Sequence, residues 1–134
     1  MNPNDALFKY KATVIRVIDG DTIETKIDLG FKVQITEKLR LYGIDAPEVR
    51  GSEKLKGQAA ASHLIKLICS HAANLVDGKL PTDSLAVIYV ATRKDKTGKY
   101  GRYLANLWGV DQEGLTVDLN QKMVDDGHAI ERTS

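Results

Sequence analysis

Polar and apolar positions alternate over the first third of the chain. Residues 9–18 end in Ala12-Thr13-Val14-Ile15-Arg16-Val17-Ile18, a β-branched run suited to a pleated, half-buried strand. Thr22-Ile23-Glu24-Thr25-Lys26-Ile27 then alternates cleanly. Asp19-Gly20-Asp21 joins the two runs, which predicts a hairpin whose primed turn takes its positive φ at Gly20. A second turn at Leu29-Gly30 leads into a third strand region over residues 31–44, with room for a bulge. The period then changes. Ala60, Leu64, Leu67 and Ile68 share one helical face, and no proline interrupts them, so residues 52–70 are expected to be a helix. Asp77-Gly78-Lys79-Leu80-Pro81 reads as a loop, residues 84–92 as a buried strand, 94–99 as a polar loop and 102–108 as the last strand. A short helix over about residues 116–126 is expected to close with Gly127 as its C-terminal cap.

Strands, a helix, two more strands and a terminal helix predict a β-rich α+β domain. Five short strands suit a small barrel of the OB type, with one helix after the third strand and one at the C-terminus. The 134 residues suffice for one domain, its core over about residues 9–130, and the hydrophobic fraction of 43% can fill that core. A formal charge of +1 leaves nucleic acid open as a partner, since an enzyme that releases its product needs only a local positive patch. Cys69 is the only cysteine, which excludes an internal disulfide; it is expected to pack in the helix rather than act as a nucleophile. His63, His71 and His128 lack the paired spacing of a zinc site. Residues 1–5 lack the basic start and apolar run of a signal peptide, so the chain as given is expected to be cytoplasmic unless a leader was removed. No stretch approaches the roughly 20 apolar residues that span a bilayer, and no membrane partner is expected.

Three local motifs carry candidate chemistry, and each has a plain structural reading. Asp19-Gly20-Asp21 is a hairpin turn, Asp45-Ala46-Pro47-Glu48 an acidic turn after a strand, and Lys99-Tyr100-Gly101-Arg102 a loop feeding a strand. Arg40, between Leu39 and Leu41, falls by alternation on the solvated face. Their combination says more. Val17-Ile18-Asp19-Gly20-Asp21-Thr22, Leu39-Arg40-Leu41, Ile44-Asp45-Ala46-Pro47-Glu48, Tyr100-Gly101-Arg102 and Val117-Asp118-Leu119-Asn120 ahead of Gly127-His128-Ala129 resemble, in order and rough spacing, the staphylococcal nuclease family.

That resemblance, from about residue 10 to residue 130, implies a nuclease with little sequence specificity that leaves 3′-phosphates. It implies that Asp21, Asp45 and the main-chain carbonyl of Ala46 bind one Ca²⁺, with Asp19 as a further acid close by. Glu48 is implied as general base, Arg40 and Arg102 as contacts to the scissile phosphate, and Lys99 and Tyr100 as contacts to a neighbouring one. The chemistry agrees with this assignment. Gathered carboxylates repel unless a hard cation sits among them, and oxygen-only ligands favour Ca²⁺, or less readily Mg²⁺, over zinc. Planar guanidinium forks suit charge building on phosphoryl oxygens. The loop over residues 93–102 carries five basic residues against Asp95 alone, either a solvated hairpin loop or a guide for the polyanion. Trp108 and Phe31 are expected to pack in the core or at its rim. The tyrosines that flank the nucleotide in the staphylococcal enzyme have no counterpart here, which removes an obvious stacking platform. DNA or RNA is the expected substrate and a monomer the expected state. The alternative is a non-catalytic OB-fold module that binds nucleic acid.

Overall fold

The structure, a computed structural model of the chain, describes residues 8–94 and 103–132. Strand β1 (Lys9–Asp19) pairs antiparallel with both β2 (Thr22–Asp28) and β5 (Val87–Lys94). Its register to β2 shifts between Val14 and Arg16 and again between Val17 and Asp19. Such irregularities bend a strand and increase its twist, which helps so small a sheet to curl. β2 pairs with β3 (Gln34–Leu41) and β5 with β6 (Tyr103–Val110), both antiparallel. β3 and β6 then meet in parallel through Leu39–Tyr103, Arg40–Leu104 and Leu41–Ala105. The sheet therefore closes on itself as the expected five-strand barrel.

Alternation fills the barrel. Ile23, Leu39, Leu41, Ile88, Val90 and Leu107 are fully buried. Helix α1 (Lys54–Ser70) adds Leu64 and Ile68, and α2 (Leu119–Asp125) adds Leu119 and Met123, to the same core. Each such side chain contributes about 1.5–3 kcal/mol on burial. Asn120 is the polar member of the buried face of α2. Its amide donates to the carbonyls of Tyr42 and Ala105, each at 3.0 Å, and its oxygen accepts from Leu107 N–H at 3.0 Å, so α2 is tied to the barrel wall. Among the described residues no helix is long and apolar enough to cross a membrane.

Several local expectations change. Gly30, Phe31 and Lys32 all have positive φ, so they form the tip of the β2–β3 hairpin and the third strand begins at Gln34. Phe31 is wholly exposed there rather than packed. Gly43, at φ +79°, turns the chain after Leu41, and β4 (Ile44–Asp45) leaves the barrel to pair with β8 (Ile130–Glu131). A single strand over residues 31–44 is thereby excluded. Residues 51–53 form a short 3-10 turn ahead of α1, and Cys69 on that helix is exposed, not packed. Residues 116–118, read as helix, are strand β7 (Thr116–Asp118), paired with β6. The Asp118 carboxylate accepts from Gln121 N–H and starts α2 one residue later, and Gly127 at φ +80° follows its end. Gly20 is required for a different reason from the one expected. It does not adopt positive φ; instead a Cβ there would stand 2.7 Å from the Ala60 Cβ and 2.9 Å from the Ala46 Cβ.

Candidate active site

The β1–β2 turn, the end of β3 and β4 come together at one corner. Leu41 N–H donates to Asp21 O at 2.7 Å, and Thr22 faces Arg40 across the β2–β3 ladder. These contacts set Asp21 and Arg40 beside each other. Arg40 is not solvated as alternation suggests: only 13% of its side chain is exposed, because the turn at residues 42–45 folds over it. Its Nη1 donates to Ile44 O at 3.2 Å, while Nη2 donates to Asp45 Oδ1 in a short ion pair and lies 3.5 Å from Asp21 Oδ2. One guanidinium nitrogen thus serves both carboxylates.

Asp21 is held on every side. Its Oδ1 accepts from Thr22 Oγ1 at 3.0 Å and its Oδ2 from Ala46 N–H at 2.9 Å. Burial of a carboxylate requires such partners. The Ala46 side chain packs against the core, so only its main chain faces the acids' chemistry. Asp45 is more open, and it also receives Arg132 Nη1 at 3.4 Å. Asp19 lies one step away, where its carboxylate accepts from Val49 N–H at 3.3 Å and anchors the segment bearing Glu48. Glu48 itself is exposed. Among the described residues no group of three or more His, Cys, Asp or Glu side chains gathers where it could hold a metal. The two carboxylates suit a hard cation in donor chemistry, but the point on which they converge is the Arg40 guanidinium, so an ion would have to share them with it. Arg102, Lys99 and Tyr100 lie outside the described residues. Of the loop that carries them, Arg93 stacks over the Tyr42 ring at 4.0 Å and approaches Asn106 Oδ1 at 3.4 Å.

Three features escaped the sequence reading. Gly57 on α1 is one: a Cβ there would lie 1.9 Å from the Glu48 carbonyl oxygen, so the helix and the Glu48 segment touch backbone to backbone. Arg132 is another: it follows β8, its own N–H donates to Gly43 O at 2.7 Å, and its side chain reaches Asp45. No motif marks it, because the two-residue β4–β8 pairing has no sequence signature. The third is a ring pair. His63 on α1 and His128 stack at 4.3 Å between centroids, and His63 Nε2 lies 2.7 Å from Asp126 Oδ2. His128 lies on the edge of a cavity of about 690 Å³ that begins at Asp45 and Ala46. The His63 contact, with smaller help from Lys122 and the charges of His63 and His128, holds the Asp126 carboxyl below the usual carboxylate range.

Comparison with known proteins agrees with this architecture. Residues 38–134 match the family described as staphylococcal nuclease homologue. An uncharacterized protein of Methanocaldococcus jannaschii is 25% identical over 129 residues, which cover 90% of this chain and 58% of that relative. The chain therefore spans less than two thirds of the relative's length. With the family match running over most of the sequence, and a closed barrel of the corresponding kind beneath it, the chain belongs to the staphylococcal nuclease homologue family.

Proposed function

We propose that the chain is a Ca²⁺-dependent nuclease that hydrolyses the phosphodiester backbone of DNA or RNA with little regard to sequence. The observation that carries this reading is the convergence of Asp21 and Asp45 on the Arg40 guanidinium in a largely covered corner. Acids and a forked cation at one point are what binding and cleaving a phosphodiester require.

In this reading Asp21, Asp45 and the Ala46 carbonyl would hold the ion. When bound, Ca²⁺ neutralises the two carboxylates and polarises a phosphoryl oxygen. The remaining work falls to protein groups. Arg40, whose Nη1 is engaged by Ile44 O and whose Nη2 is shared by Asp45 and Asp21, would turn N–H groups from these partners to the phosphoryl oxygens, and its covered surroundings would strengthen those bonds as charge accumulates there. Glu48 accepts the proton of the attacking water, its open position leaving room for that water. Asp19 holds the Glu48 segment through Val49, and Gly57 lets α1 pack against it. Arg102 is proposed to donate to the same phosphate as Arg40, with Lys99 and Tyr100 on the next one along the strand.

A second reading, a module that binds nucleic acid without cutting it, draws support from the separation of Glu48 from the acid pair. One experiment divides the two. Purified protein is incubated with single- and double-stranded DNA and RNA, first with Ca²⁺ and then with excess chelator. Cleavage that stops on chelation is expected. Cleavage that survives it would remove the metal from the reaction, and binding with no cleavage of any substrate would favour the module.

A further inference from the structure

A phosphodiester seated at Arg40 would bring its two nucleosides with it, and Asp45, the partner of Arg40, stands where a cavity of about 690 Å³ begins. Asp45, Ala46 and His128 line it, and Pro47, Ala59 and Ala129 supply apolar surface. Its size is within the range of small-molecule sites and its apolar share suits a base and sugar better than a bare phosphate. At the outer rim stand Glu53 and Lys56, one acceptor and one cation, on the 3-10 turn and the first turn of α1.

His128 is built as a fixed wall. It is half-buried, its ring is stacked on that of His63 at an interplanar angle of 23°, and His63 is held in turn by Asp126. Gly127 at φ +80° turns the chain after α2, and His128 lines the same cavity as Asp45. Aromatic faces held in place bind bases without regard to sequence.

Resting on the nuclease reading, we propose that this groove is the subsite for the nucleoside adjoining the scissile phosphate, with His128 as its stacking and positioning residue. The occupant is a nucleoside of the substrate strand because the groove is lined by Asp45, the partner of Arg40, and by Ala46, the two residues proposed to hold the ion beside the phosphate.

The test separates this subsite from the nuclease reading. Thymidine and adenosine carry no phosphate, so Arg40 cannot drive their binding. At millimolar concentration and fixed pH, in excess chelator, each is expected to shift the His128 ring resonances, while free ribose leaves them in place. Ala59→Trp, which fills the groove from an exposed position on α1, is expected to abolish those shifts. It should raise KM for an oligonucleotide about tenfold with kcat within about twofold; His128→Ala should raise KM similarly. Unshifted His128 resonances in the wild-type protein, or an unchanged KM in a folded Ala59→Trp variant that still cleaves, would overturn the subsite. Nucleoside-induced shifts in a protein that cuts no substrate would support the groove and sink the nuclease reading instead.

Discussion

Two corners of the molecule set a carboxylate against a basic side chain from a distant part of the chain, and they differ in what surrounds the pair. At the first, Arg40 and Asp21 have side chains only 13% and 11% exposed, and backbone groups of Ile44 and Ala46, in one further segment, complete their hydrogen bonds. At the second, His63 and Asp126 keep 21% and 30% of their side-chain surface, and stacking on His128 is their additional support. Charge in a covered site interacts strongly and is costly to leave unpaired. Charge at a helix surface is screened, and a pair there contributes little. The first corner suits the phosphate contact proposed for it, whereas the second can only hold the middle of α1 against the end of α2.

The largest effect should follow from Arg40. Arg40→Lys keeps a positive charge beside Asp21 and Asp45 but loses the fork. If the corner serves only to neutralise the acids, the lysine variant should work nearly as well as the wild type. If it stabilises charge on a phosphate, kcat should fall about 10²–10³-fold, equivalent to about 3–4 kcal/mol, with folding retained. Arg40→Ala should be about as inactive and, in addition, less stable, because two carboxylates lose their shared partner. Single-turnover rates together with urea unfolding distinguish the two explanations. A lysine variant of near-wild-type rate would end the catalytic role of Arg40.

Gly57 should come next. A helix-interior Gly→Ala change by itself stabilises by about 1 kcal/mol. Here the added methyl would meet the Glu48 carbonyl at 1.9 Å and the Val49 nitrogen at 2.7 Å, both backbone atoms with little freedom to yield. Overpacking of that kind costs about 1–3 kcal/mol, so the clash should win. The expected result is a lower unfolding midpoint together with reduced kcat, because the segment that moves carries Glu48. A more stable Gly57→Ala protein would show that α1 and the Glu48 segment are not in contact.

Local patterns made the barrel legible. Alternation in β1, β2 and β3 and the helical spacing of Ala60, Leu64, Leu67 and Ile68 depend on neighbours within a few residues, and they correspond to the buried positions seen. The candidate corner was legible only through resemblance, since nothing in the spacing of Asp21, Arg40 and Asp45 says that they meet. The misreadings have tertiary causes. Gly20 looked like a turn glycine, yet its hydrogen is needed for clearance from Ala46 and Ala60, on elements distant in sequence. Arg40 looked solvated because alternation ignores the turn that covers it. Residues 116–118 fitted a helical period, but pairing with β6 overrides so short a signal. Arg132 and the His63–His128 stack arise from a two-residue strand pairing and from the packing of mid-α1 against the turn after α2, which no local pattern encodes.

The smallest effect belongs to the exposed corner and is read from pH. The folded protein holds the Asp126 carboxyl below its ordinary value of about 3.9, chiefly through the His63 bond. A depressed carboxyl pKa means that the unfolded chain binds the proton more readily. Its stabilising contribution is therefore complete above about pH 4 and disappears as pH falls through the lower, folded value. Asp126→Asn removes that contribution at every pH. Wild type and variant should thus differ slightly in urea midpoint at pH 5 and converge at about pH 2, with added salt shrinking the gap at pH 5. At Arg40 the Asp21 carboxylate is covered but Asp45 is 42% exposed, so added salt should shrink the stability difference between wild type and Arg40→Ala only in part. A gap in Asp126→Asn that persists to pH 2 would mean that Asp126 acts through packing rather than charge, and the two corners would then differ in kind as well as in exposure.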